Sequence, residues 1–256
     1  MKPAPLEHEL STGARPAGET DEQAAAANVQ QMFDTIAPRY DLLNHVLSAG
    51  LDLWWWSRAA RAFRPVLVSP ESVILDLCCG TGDMTLALFK HRPRTPEDAP
   101  MLALDFSHNM LSRGARKFAP YNILPIEADA LHLPLGTGSV DLVTSAFGFR
   151  NLANYEEGLA ELYRVLRPGG QIGILECNQP EGLTGAAYSL YFQKILPRLG
   201  GLLSGERGAY TYLPASVARF PRPPRMKQLI TAAGFAEATW TSYTLGTVGL
   251  YRARKP

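Results

Sequence analysis

The stretch VILDLCCGTGDMTLAL, Val73 to Leu88, constrains the fold more than any other part of the chain. It begins as a short apolar run, turns at two glycines spaced by one, Gly80 and Gly82, and resumes with an apolar rhythm of a different period. A strand that enters a helix through such a turn lets main chain approach a ligand closely, as cofactor-binding turns of open α/β sheets do. The same alternation recurs downstream. Apolar or β-branched runs at Val73–Cys78, Met101–Asp105, Asn122–Glu127, Val140–Ser145 and Gln171–Glu176 are separated by amphipathic stretches, the signature of repeated βαβ units. Near the end, RMKQLITAAGF reads as a last helix closed by Gly234, and ATWTSYTL and TVGLYRARK as an antiparallel hairpin turning at Gly246 on the sheet edge. The expected fold is α/β: a doubly wound, mostly parallel seven-stranded sheet with helical lid segments.

The clearest helix is NYEEGLAELYRVLRPGG: Asn154 can cap it, Glu157 sits at the capping-box position, and Leu159, Leu162, Tyr163 and Leu166 share a face. Pro168, Gly169 and Gly170 are expected to stop it. HRPRTPEDAP, with three prolines, reads as a surface loop. At 256 residues the chain suits one core. Residues 1–28 are expected to be a flexible arm, with a helix beginning near Asp21. Residues 29–256 are expected to form one domain: a helical lid (29–70), a cofactor-binding core (71–180), a substrate-side insert (181–222) and the last helix with its hairpin (223–256). Lids attached at the carboxyl ends of the strands would cover a ligand bound there.

Composition narrows the function classes. A net charge of +1 gives no electrostatic case for a nucleic-acid partner, and no apolar run approaches the length of a membrane span. Cys78, Cys79 and Cys177 fit neither a zinc spacing nor a disulfide framework and read as reduced thiols. The first thirty residues lack the apolar core of a signal peptide and carry five acids, which argues for a cytoplasmic chain.

Asp76, on the strand leading into the turn, separates two cofactors. A nicotinamide dinucleotide would place phosphates there, next to a carboxylate, and its third fingerprint glycine is replaced here by Thr85. A sulfonium amino-acid cofactor would instead place an ammonium group near Asp76. Asp105 ends the second strand, where an acid can accept hydrogen bonds from both ribose hydroxyls. Asp129 follows the third, suited to an adenine amino group. Taken singly, Asp76 belongs to a turn motif of moderate specificity, Asp105 could cap a helix that also offers Ser107, and Asp129 could be a turn acid. In register on successive strands, the three match S-adenosylmethionine.

DLCCGTGD, DFSHNML, ADALHLPL, FGFRN, ELYRVLRPGG and YTYLPASVARFP, with FDTIAPRYDLLNHVLSAGLDLWW upstream, resemble the C-methyltransferases of menaquinone and ubiquinone biosynthesis, which have the Rossmann-like class I methyltransferase fold. The resemblance runs from about Val29 to Lys255. It is carried most specifically by FGFRN, YTYLPASVARFP and YDLLNHVLSAG, while Cys78–Cys79, ECNQP, Trp54–Trp56 and the proline loop depart from it. The resemblance implies that Asp76, Cys78, Gly80, Thr81, Gly82, Asp105, Phe106, Asp129 and Ala130 bind S-adenosylmethionine. It implies methylation of a ring carbon of a lipophilic prenylated quinol, demethylmenaquinol or a polyprenylated methoxybenzoquinol, with no metal. Arg150 is expected to hold the quinol oxyanion or a water, with Asn151 and Tyr40 completing the network. The lid tryptophans, with Tyr188, Tyr191, Phe192, Lys194 and Arg198 of the insert, are candidates either for packing the lid or for peripheral contact with the inner membrane face. The oligomeric state stays open, a homodimer included. Two rivals remain: a methyltransferase for another small molecule, and a non-catalytic module that keeps the cofactor pocket.

Overall fold

Ile74 to Leu77 form a strand in which all four residues are buried, as a strand covered on both faces requires. The structure, a computed structural model, describes residues 13–93, 99–180, 185 and 207–256. In chain order it contains α1 (Glu22–Ile36), α2 (Tyr40–Leu47), α3 (Leu51–Ala62), α4 (Arg64–Leu67), β1 (Ile74–Leu77), α5 (Asp83–His91), β2 (Met101–Asp105), α6 (His108–Phe118), β3 (Ile123–Glu127), β4 (Val140–Ala146), α7 (Tyr155–Val165) and β5 (Leu166–Cys177). After these come α8 (Arg207–Arg219), α9 (Pro223–Ala232), β6 (Ala236–Tyr243) and β7 (Val248–Arg254).

The seven strands lie in the order β3-β2-β1-β4-β5-β7-β6. The first five are parallel, while β7 runs antiparallel to both β5 and β6. This is the doubly wound sheet expected, with the hairpin at its edge. The chain leaves β1 in one direction and returns to β4 on its other side, so a crevice opens at their carboxyl ends. Alternation along β1 feeds two cores. Leu75 and Leu77 pack with Phe149, Leu159, Leu162 and Ile230 on one face, and Ile74 packs with Trp56, Phe63, Leu88 and Leu142 on the other.

Four differences from the sequence reading have physical causes. First, the arm does not extend through residue 28: Asp21 caps α1, accepting from the Ala24 N–H, and Ala14 and Ala25 are buried. The Ala14 N–H donates to the Leu152 carbonyl, and Arg15 Nη1 donates to that of Ala153. Second, residues 29–70 are not all lid, since Trp55, Trp56, Ala59 and Ala60 give α3 a buried stripe over α5. Phe63 packs so closely on β5 that a Cβ at Gly173 would lie 2.4 Å from its ring.

Third, α7 ends at Val165, with Asn154 capping it as expected, so Leu166 is not on its apolar face, and Pro168, Gly169 and Gly170 do not precede a strand that starts at Gln171. They belong to β5, where Leu166 pairs with Val140 and the register shifts before Gln171 meets Leu142. A proline cannot continue a helix, and the strand absorbs the extra residues as a bulge. Fourth, the β6–β7 link is a 3-10 turn, Thr244–Gly246, in which Thr244 and Leu245 as well as Gly246 have positive φ. Most of the insert, including Tyr188, Tyr191, Phe192, Lys194 and Arg198, and part of the proline loop, lie outside the described residues.

Candidate functional site

The turn after β1 is built from left-handed backbone: φ is +52° at Cys78, +55° at Gly80 and +89° at Gly82. A Cβ on Gly82 would sit 2.2 Å from the Phe118 ring, and one on Gly148 would sit 2.3 Å from Cys78 Cβ. The loops after β1 and β4 therefore pack main chain against side chain with no room to spare. Above them lies a cavity open to solvent, with about 980 Å³ of empty space when the open solvent in its mouth is counted.

Its walls carry an unusual charge balance. Four carboxylates, Asp76, Asp83, Asp105 and Asp129, line it, and among the described residues no lysine, arginine or histidine does. Asp76 is wholly buried and accepts hydrogen bonds from the hydroxyls of Thr85 (2.6 Å) and Thr144 (2.7 Å). Burial nevertheless pushes its pKa up to about 6. Asp105 accepts from the N–H groups of Gly80 (2.7 Å) and Ser107 (2.9 Å), and burial again pushes it up to about 6. Burial also raises Asp83, against the pull of Lys117. Asp129 is more exposed and accepts from the Leu131 N–H at 2.9 Å. A site that holds acids at this desolvation cost is relieved by a cation and repels a phosphate.

The amino-terminal helices close over these strand ends. From α1, Gln30 donates to the Phe106 carbonyl at 2.6 Å, Asp34 accepts from the Ser107 hydroxyl at 2.6 Å, and Ala26 and Phe33 line the cavity. From α2, Tyr40 and Asn44 line it. Asp41 of the same helix accepts from the Thr81 hydroxyl and pairs with Lys117 at 2.7 Å, and Lys117 also reaches Asp83 at 3.0 Å. One lysine thus ties lid, glycine turn and α6 together.

After β4, Phe149–Asn151 forms a 3-10 turn. Arg150 is buried, and its bonds to the Phe147 carbonyl and to both oxygens of Glu176 (3.3 and 3.1 Å) all run through Nη1. Its Nε–H, also buried, has no partner among the described residues. Glu176, wholly buried at the end of β5, further accepts from the N–H groups of Arg150 and Cys177. Burial pushes its carboxyl up and the guanidinium pulls it back. Asn151 lines the cavity, and its Oδ1 accepts from the Tyr212 hydroxyl of α8 at 3.0 Å. The Tyr40 hydroxyl is raised by burial, with Asn44 and the charge of Arg150 pulling it down.

The cavity thus brings together Tyr40, Asp76, Cys78, Gly80, Thr81, Asp105, Phe106, Asp129, Ala130 and Asn151. Gly82 and Arg150 are not among its lining residues: Gly82 shapes the turn, and Arg150 lies in the Phe149–Asn151 turn beside the lining residue Asn151 and bonds the carbonyl of another, Phe147. Asp83, Glu176 and Tyr212 were missed by sequence reasoning. Asp83 had a legible signal as an acid in the first turn of the helix after the glycines. Glu176 and Tyr212 had none beyond lying within quoted motifs, because their roles depend on contacts 26 and 61 residues away.

Several known proteins are similar to this chain. A demethylmenaquinone methyltransferase of Deinococcus radiodurans is 47% identical over 235 residues, covering 90% of this chain and 94% of its own. The ubiquinone/menaquinone biosynthesis C-methyltransferase UbiE of Geotalea daltonii is 39% identical over 236 residues, covering 89% and 96%. A solved SAM-dependent methyltransferase of Thermotoga maritima shares the fold at a TM-score of 0.62 and 16% identity, over 89% of this chain and all of that one. The sequence pattern of one family matches residues 20–255, and with that extent and those identities the chain belongs to the ubiE/COQ5 methyltransferase family.

Proposed function

We propose that this methyltransferase transfers the methyl group of S-adenosylmethionine to a ring carbon of a prenylated hydroquinone, with demethylmenaquinol as its substrate. The observation that carries the cofactor assignment is the cavity with four carboxylates and no cation among the described residues. S-adenosylmethionine brings an ammonium, a ribose diol and an adenine amino group, all donors, and its sulfonium supplies an activated methyl group. Asp76 and Asp83 face the glycine turn and suit the ammonium, Asp105 suits the diol, and Asp129 suits the amino group. Carboxylates that already accept two bonds, as Asp76 and Asp105 do, keep lone pairs for more. The quinol is favoured by the 47% identity to a demethylmenaquinone methyltransferase. The 39% identity to UbiE keeps a benzoquinol as the second reading.

On the substrate side the chain must make a ring carbon nucleophilic. A phenol-like hydroxyl has a pKa of about 10, so ionising it near neutrality takes about 4 kcal/mol of selective anion stabilisation. Arg150 supports that role with a buried, unanswered Nε–H. It stays protonated and so acts as a donor to the oxyanion or to a water, never as the base. Asn151 and Tyr40, which both line the cavity, orient the hydroxyl that loses its proton to water.

Two titrations test the cofactor reading. Asp76 and Asp105 have folded pKa values raised from 3.8 to about 6, so between those values the folded chain holds more protons than the unfolded one. In the empty protein their contribution to stability is therefore greatest below about pH 4 and declines until about pH 6. A cationic ligand favours the ionised acids. Donor affinity should rise about tenfold per carboxylate between pH 5 and 7 and then level off, with proton release near pH 6. Calorimetry in two buffers of different ionisation heat measures both, and an affinity that is flat or falling over this range contradicts the assignment.

For the reaction, the protein is incubated with methyl-labelled S-adenosylmethionine and either demethylmenaquinol or the benzoquinol. Mass spectrometry should place the label on a ring carbon of the naphthoquinol. Label on oxygen, or on neither quinol, rejects the reading.

Among the described residues no helix is long and apolar enough to cross a membrane. A lipid-tailed substrate nevertheless resides in one, and we place the enzyme in the cytoplasm, working against the inner membrane face.

A further inference from the structure

The helices that wall the cavity have a second face. On α2, Tyr40 and Asn44 line the cavity while Leu42 and Val46, offset by two residues and so on the far side, are exposed. On α3, Trp55, Trp56, Ala59 and Ala60 are buried, and the opposite side carries Leu53, 62% exposed, and Trp54, 50% exposed. The β6–β7 turn joins this surface. Trp54 stacks edge-on against Tyr243 at 5.5 Å, and the Trp55 indole N–H donates to the Thr244 hydroxyl at 2.7 Å. The next residue, Leu245, is 82% exposed and held at φ +56°, a conformation that side chains larger than glycine rarely adopt. Large apolar side chains are thus exposed on three separate segments, of which α3 and the β6–β7 turn form one rim through these contacts, and none of them lines the cavity.

The charge beside that rim has one sign. Arg58 and Arg61 continue the Trp54 side of α3 at helical spacing, and Arg64 follows at the start of α4; all three are exposed. Burial raises the Tyr243 hydroxyl pKa, and the nearby charge of Arg58 pulls it part of the way back. None of the three makes an ion pair among the described residues. The only acids of α2 to α4 are Asp41, engaged by Thr81 and Lys117, and Asp52, buried against His45. A two-fold contact between copies would set these arginines against the like surface with no acid to answer them. An anionic bilayer answers both features, since it accepts apolar side chains at its interface and attracts the arginines.

We propose that the outer face of α2 and α3, with the Leu245 turn, is the surface by which the protein docks on anionic lipid, placing the mouth of the cavity against the membrane. This rests on the reading of a lipid-tailed substrate for the site. The test uses vesicles of phosphatidylcholine with and without phosphatidylglycerol. The full chain should float with the anionic vesicles and much less with the neutral ones. The variants Leu53→Ser/Trp54→Ser/Leu245→Ser and Arg58→Gln/Arg61→Gln should each partition at least about tenfold more weakly.

Both variants should keep wild-type turnover on a short-tailed, water-soluble quinol and lose kcat/KM in step with partitioning on a quinol embedded in vesicles. Because the arginine pair is exposed, that variant keeps the test alive if the apolar triple variant fails to fold. Wild-type protein that does not float, arginine variants that float unchanged, or a triple variant that turns a dimer into a monomer while the wild type ignores lipid would each overturn the proposal. Failure of the wild type to methylate the soluble quinol would count against the functional reading, while flotation still decides the surface.

Discussion

Replacing Gly82 with alanine should lower the melting temperature by roughly 5–15 °C and weaken cofactor binding more than about tenfold. Two costs add. Gly82 holds φ +89°, where an L side chain costs about 1–2 kcal/mol. Its new Cβ would also meet the Phe118 ring at 2.2 Å. Phe118 is almost wholly buried, and Gly114 packs on it so closely that a Cβ there would lie 3.2 Å from the ring. The ring therefore cannot swing aside, and overpacking of this kind costs about 1–3 kcal/mol more. What yields is the turn itself, which carries Gly80, Thr81 and the amino end of α5 to the cofactor.

Gly169→Ala separates the two terms. Gly169 has φ +83°, but its Cβ would meet nothing within 4 Å. That variant should show the strain alone, with unchanged cofactor affinity. Thermal denaturation and calorimetry on both settle the matter: if Gly82→Ala is no worse than Gly169→Ala, the packing contact with Phe118 carries no weight.

The contrast between these glycines shows what a single sequence makes legible. The turn at Gly80 and Gly82 could be read because its cause is local: an apolar strand, residues that allow positive φ, and a helix starting at once. The five parallel strands were legible for the same reason, each being a short apolar run between amphipathic stretches. Where the cause lies in a distant partner, local reading fails. Pro168 does end α7, but nothing nearby shows that the following glycines pair with Lys255 at the end of the chain. The polar sequence around Ala14 and Arg15 looks like a tail, yet the Leu152 and Ala153 carbonyls anchor it. In the site, the strand-end acids were legible because strand ends converge by topology. The pairing of Arg150 with Glu176, across the β4–β5 boundary, depends on which loop residue folds back over which strand.

That pairing makes Arg150 a double agent, and its two roles can be taken apart. On the proposal that its free edge holds the quinol oxyanion, Arg150→Lys should cut turnover by about 10²–10³-fold while donor affinity stays within about twofold, because a lysine cannot replace the guanidinium fork. Arg150→Ala should lose as much turnover and in addition about 3–5 kcal/mol of stability, since it leaves Glu176, wholly buried, without its counter-charge. Pairing Arg150→Met with Glu176→Gln removes both charges and should recover most of that stability, as neutral replacements of a buried ion pair often do. Turnover should not return. Single-turnover rates with saturating donor, alongside urea denaturation of the three variants, give both readouts. A double variant whose turnover recovers with its stability would mean that Arg150 only holds the loop in shape, and the oxyanion would need another donor among Asn151, Tyr40 and Tyr212.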